Sequence, residues 1–179
     1  MKLLITSDWH ADANTFGHSR FKDVDVAVRE MVDHAIGAKV DVFLFLGDLC
    51  NPDAGSAVFR CVELAVSTAM TLTKHNIASV WIAGNHDVIE DGTGDTSLTP
   101  LRPLAMSGTQ LVYLFEQQGA VFLREDLLLV ALPFTATSHP YNPAEFVEKF
   151  VVLDHKCIVL GHLAVEGVVP GEETTDMPR

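Results

Sequence analysis

Four short polar clusters carry side chains able to ligate cations or move protons: Asp8-Trp9-His10, Gly47-Asp48, Gly84-Asn85-His86-Asp87 and Gly161-His162. Alternate side chains of an extended segment share a face, so the Asp8 carboxylate and the His10 imidazole can hold one cation. Gly47 removes side-chain bulk just where the Asp48 carboxylate must reach inward, even between two ions. Asn85 offers a neutral carbonyl oxygen, and His86 beside it offers a proton donor or a positive charge for a phosphoryl oxygen. Asp87 could orient that histidine, and His162 adds a further imidazole. Mixed oxygen and nitrogen donors without thiolate suit Mn, Fe or Zn in a catalytic site better than a structural zinc.

Each cluster directly follows an apolar run: Lys2 to Thr6, Val42 to Leu46, Val80 to Ala83 and Cys157 to Leu160. These runs are too short for helices and rich in β-branched or aromatic residues, which predicts buried strands. In an open α/β sheet the carboxyl ends of the strands border one crevice, so residues far apart in sequence can converge there. Between the strands lie helical patterns. Val24, Val28, Met31, Val32 and Ala35 fall on one face, with Asp23 as a cap and Gly37 as the stop. Val58, Val62, Ala65, Ala69 and Leu72 define a second helix, capped by Ser56 and ending near His75.

The remainder reads as loops, a second sheet and a final helix. Ala11 to Arg20 is a polar loop in which His18 and Arg20 could touch a substrate phosphate or simply face solvent. Glu90 to Thr99 reads as a surface loop. Leu111 to Phe115, Ala120 to Leu123 and Leu127 to Leu132 predict a meander in a second sheet. Asn142-Pro143-Ala144-Glu145 has the form of a capped helix start, with Phe146, Val147 and Phe150 facing the core. Trp9 and Trp81 are expected in the core, and His34, His75 and His155 on helix surfaces or ends.

The 179 residues suit a single domain spanning 1–179. No apolar run approaches the roughly 20 residues of a membrane span, and the amino terminus enters a strand without a signal sequence, so a cytoplasmic protein with no membrane contact is expected. Cys50, Cys61 and Cys157 are widely spaced, without a C-x-x-C pair, and predict reduced core thiols rather than a disulfide framework. Twenty-four acidic against twelve basic residues give a net charge of −12, which repels free nucleic acid on average. A nucleic-acid role then requires bound cations, a local basic patch or a partner's surface.

The ordered set D-x-H, G-D, G-N-H-D and G-H resembles the calcineurin-like metallophosphoesterase family over Ile5 to His162. Ser7-Asp8-Trp9-His10, Gly47-Asp48-Leu49 and Gly161-His162-Leu163 followed by Val165-Glu166-Gly167 are closest to the SbcD-type DNA repair exonuclease subunits. The resemblance implies an α/β sandwich of two mixed β-sheets flanked by helices. It also implies two divalent cations, Mn first with Fe or Zn as alternatives. Asp8, His10 and Asp48 would hold one, and Asp48, Asn85 and His162 the other. His86 would protonate the leaving oxygen or stabilise charge at phosphorus while activated water attacks in line. DNA is the implied substrate, an SMC-like ATPase the implied partner, and homodimerisation through Val58 to His75 and Leu98 to Met106 a further implication.

One departure separates the sequence from that family. The usual G-H-x-H motif is absent: Gly161-His162-Leu163-Ala164 stands in its neighbourhood and no histidine follows. Truncation before the last histidine motif is the favoured expectation, with water or His139 as a substitute ligand, or a second polypeptide, as alternatives. Two other functions are weighed against the nuclease. The acidic surface suits a phosphatase or phosphodiesterase for small nucleotides or other phosphoesters, and the missing motif suits an inactive phosphoesterase-fold scaffold.

Overall fold

The computed structural model describes residues 1–135, 141–151 and 156–163. Four strands form a sheet in the order β1 (Leu3–Thr6), β4 (Val42–Phe45), β5 (Ala78–Ile82) and β6 (Val112–Phe115), every neighbouring pair parallel. β4 is buried at every residue. Phe43 and Phe45 face a helical layer, while Val42 and Leu44 face a second sheet, so both sides of the strand need apolar side chains.

Two helices, α1 (Phe21–Ala38) and α2 (Ala57–Lys74), cover the first face with Val28, Val32, Ala35, Leu64, Ala65, Ala69 and Leu72. The short α3 (Arg102–Ala105) and the turn at Thr99–Leu101 extend that layer. Trp9 and Trp81 are buried here as expected, their rings 5.9 Å apart and both against Phe45. On the other face lies the second sheet, β7 (Gly119–Arg124), β8 (Leu127–Leu132) and β9 (Lys156–Gly161). β7 and β8 are antiparallel, β8 and β9 parallel. Leu129, Ala131 and Leu160 pack against Val80 and Ile82, and α4 (Pro143–Val151) covers the far side with Phe146, Val147 and Phe150. The layers thus run helix, sheet, sheet, helix. No helix among the described residues is long and apolar enough to cross a membrane.

Several local expectations change. Val112–Phe115 joins the first sheet beside β5 instead of opening the meander, because Tyr113 and Phe115 face the second sheet while Val112 and Leu114 face the helices. β9, in contrast, belongs to the second sheet, so the crevice is bordered by both sheets. α1 starts at Phe21, two residues before Asp23, which instead pairs with Arg20 at 2.7 Å. Gly37 lies inside that helix, and the left-handed Lys39 (φ 53°) ends it. Ser56 holds the N-cap position of α2 without a side-chain bond. Asn142 does cap α4, its Oδ1 accepting from the Ala144 and Glu145 amides. Cys50 and Cys61 are buried, but Cys157 is exposed at the sheet edge. His34 and His75 are exposed, and His139 and His155 lie outside the described residues.

Candidate metal centre

The loop after β1 is laced to the loop after β4: Asp8, His10 and Ala11 donate their amides to the carbonyls of Gly47, Asp48 and Leu49 at 2.9, 3.1 and 2.9 Å. This register brings Asp8, His10 and Asp48 together, with one donor atom from each lying within 4.8 Å of the others. All three have left-handed backbones, at φ 55°, 39° and 63°. Three non-glycine residues in that sparsely occupied region, in one cluster, mark a site where surrounding structure holds the backbone in place.

The two oxygens of Asp48 have different partners. Oδ1 accepts the His86 backbone N–H at 3.0 Å. Oδ2 faces two imidazoles, His10 Nε2 at 3.5 Å and His162 Nε2 at 3.6 Å. His162 Nδ1 lies 2.7 Å from the Leu46 carbonyl, which can only accept, so Nδ1 carries the hydrogen. In neutral His162 that leaves a lone pair on Nε2, directed at Asn85 Oδ1 3.0 Å away and at Asp48 Oδ2. Lone pairs converging without a proton between them are what a cation satisfies. Ligand bonds of about 2.0–2.2 Å put adjacent donors roughly 3–3.5 Å apart, close to the spacings here, so these residues could hold cations, with Asp48 available to both donor groups. Asp8, His10 and Asp48 lie on one side, and Asp48, Asn85 and His162 on the other.

Two glycines make this closeness achievable. A Cβ on Gly47 (φ +98°) would lie 2.6 Å from the Gly84 amide and 2.7 Å from His162 Nδ1, and one on Gly84 would lie 2.6 Å from the Asp48 amide. His86 projects from the following turn, exposed, with its ring edge-on to that of His10 at 5.0 Å.

Asp87 sits differently from its expected role beside His86. It is fully buried, and its carboxylate accepts the amides of Asp48 (2.8 Å), Leu49 (2.9 Å) and Gly84 (2.8 Å) together with the Ser97 hydroxyl (2.5 Å). Burial pushes its pKa above the usual carboxylate value, opposed by Ser97 and then the three amides. Asp87 is therefore the joint that registers the two motif loops. Ser97 escaped sequence reading because it acts through Asp87, and no ligand spacing marks it. The segment read as a surface loop is pinned accordingly: Thr96, Ser97 and Leu98 are buried, and Glu116 takes bonds from Thr96, Thr99 and Arg102.

The second sheet is brought to the site by a backbone bond from Phe134 N–H to the Ala83 carbonyl (2.9 Å), and within that sheet His162 N–H bonds the Leu132 carbonyl (3.1 Å) at the end of β8. All five expected ligand residues thus meet at one place, with His86 over them and Asp87 beneath.

The family model for calcineurin-like phosphoesterases matches residues 1–167. The chain belongs to that family of phosphoesterases. Among solved structures, a dimetal phosphatase from Danio rerio is 14% identical with a TM-score of 0.47, the match covering 73% of this chain and 43% of that one. The nuclease MPE from Pseudomonas putida is 18% identical with a TM-score of 0.39, covering 77% of this chain and 57% of that one. The chain therefore spans about half the length of these structures. No curated protein matches it.

Proposed function

We propose that the chain is a phosphodiester hydrolase acting on DNA, a nuclease subunit of the SbcD type that works with two Mn ions and an SMC-like ATPase partner. The observation that carries the catalytic part is the sharing of Asp48 Oδ2 between His10 and His162, with Asp8 and Asn85 completing the two donor groups. When bound, the cation pair supplies activation of water and neutralisation of phosphoryl charge for an in-line displacement. His86 is left outside the donor groups, exposed above them, where its imidazole can give a proton to the departing oxygen. Its backbone N–H, bonded to Asp48 Oδ1, keeps the proton donor and the shared carboxylate in fixed register. The DNA assignment is supported by the wording of the motifs around Trp9, Leu49 and Leu163.

The net charge of −12 favours a second reading, hydrolysis of small nucleotides or other phosphoesters. Mn-loaded protein is to be incubated with single- and double-stranded DNA, with nucleotides and with a simple aryl phosphodiester. Cleavage of DNA, lost in His86→Ala, is the expected result. Turnover of the small esters with intact DNA would select the second reading, and turnover of none by metal-bearing protein would overturn both.

A further inference from the structure

The segment after His10 folds into a small hairpin, β2 (Asn14–Thr15) and β3 (His18–Ser19), joined by Phe16 and Gly17. Both turn residues have positive φ, 50° and 79°, the form of tight hairpin turn that normally takes Asn-Gly or Gly-Gly. Phe16 is the wrong residue for that position on two counts. A bulky side chain in the left-handed region is strained, and this ring is 98% exposed with no packing to offset the strain. Strain held in place without a packing return points to a use outside the folded chain.

The hairpin is not a loose appendage. The Ala13 amide donates to the His10 carbonyl at 2.8 Å, and the Arg20 amide donates to the Ala13 carbonyl at 2.8 Å, so the base of the hairpin is tied to a residue of the candidate metal centre. Three residues beyond Ala13 span at most about 10 Å, the length of the few nucleotides flanking a scissile bond. The charge pattern agrees. In a chain with twice as many acids as bases, no acidic residue lies between Asp12 and Asp23, and His18, Arg20 and Lys22 all fall there. The Arg20 guanidinium is engaged by Asp23, which leaves the exposed His18 and Lys22 as the donors beside the tip.

We propose that this hairpin is a substrate arm and that the Phe16 ring stacks on a nucleobase next to the phosphodiester being cut. The inference rests on the DNA reading above and adds a specificity residue to it. An aromatic platform accepts any base, because every base has a π-face, so the arm selects nucleic acid over small phosphoesters without reading sequence.

The test uses the full chain loaded with Mn, single-stranded oligonucleotides carrying one abasic site walked across the cut position, and methyl 4-nitrophenyl phosphate as a substrate without a base. Phe16→Ala and Phe16→Asn are expected to raise KM for intact oligonucleotides about tenfold, with a smaller change in kcat, and Phe16→Trp to stay near wild type. Phe16→Asn also relieves the backbone strain, so its Tm should equal or exceed that of the wild type, which separates stacking from a structural role. One abasic position should raise KM of the wild type to the level of Phe16→Ala while leaving Phe16→Ala unmoved. Equal KM values for wild type and Phe16→Ala, or equal abasic responses in both, overturn the stacking proposal while DNA cleavage stands. Turnover of the small diester without any oligonucleotide cleavage overturns the DNA reading, and the proposal with it.

Discussion

Asp48 divides its carboxylate between structure and chemistry, Oδ1 fastened to the His86 amide and Oδ2 turned to two imidazoles. Asp48→Asn keeps an oxygen for the amide but removes the shared anionic one. Activity should fall by about 100-fold or more and Mn binding should weaken, both measurable by turnover and by titration followed with electron paramagnetic resonance. Ser97 makes no approach to the ligand atoms, yet it holds the Asp87 carboxylate that holds the Asp48 and Gly84 amides. Ser97→Ala should cost about 1–3 kcal/mol in urea unfolding, the loss of a buried hydrogen bond to a carboxylate. Mn affinity should drop roughly tenfold, the lower end for a residue that supports ligands without touching the ion. Ser97→Thr, which keeps the hydroxyl, should restore part of both.

Among the elements, the loops after β1, β4 and β5 act as one unit because Gly47 and Gly84 let them touch. Gly84→Ala should lower Tm and reduce Mn binding together, since its Cβ would press on the Asp48 amide. At the opposite end of the sandwich Asp41 accepts the Lys2 amide at 2.6 Å and the Arg124 guanidinium at 3.0 Å, joining β1 to β7. The Lys2 bond first, then Arg124, holds its carboxyl below the usual range. A depressed folded value stabilises above the unfolded one, near pH 4, and the effect is lost as pH falls through the folded value. The Tm gap between wild type and Asp41→Asn should therefore be largest at neutral pH and close in acid.

The strands and helices were legible because an unbroken apolar run marks β4, helical apolar spacing marks α2 and cap chemistry marks Asn142. The five candidate ligand residues were legible because each stands at the end of an apolar run. Sheet membership was not, since Val112–Phe115 and Lys156–Gly161 are apolar on two faces and either sheet could have taken them. Nor was the duty of Asp87, whose acceptor atoms serve backbone amides on another loop that leave no mark in residue identity.

For the whole molecule, the acidic surface and the donor groups predict that cations stabilise the fold. Saturation with Mn at about a hundred times Kd should add roughly 2.7 kcal/mol to unfolding stability, seen as a rise in Tm that a chelator reverses. Asp48→Asn should show little of that rise. Screening by salt should leave the effect largely intact, because Asp48 is buried while most of the negative charge is on the surface.

His162 grips the Leu46 carbonyl across the seam between the two sheets, whereas Asp8, His10 and Asp48 all belong to loops of a single sheet. One half of the donor constellation is thus internal to a rigid layer, and the other half exists only while two layers stay aligned. Any slippage of β9 against β4 would dismantle the Asn85 and His162 side first and spare the other. Occupancy of that side is in effect a gauge of sandwich alignment, which amide exchange along Lys156–Gly161 would register as protection tied to Mn loading.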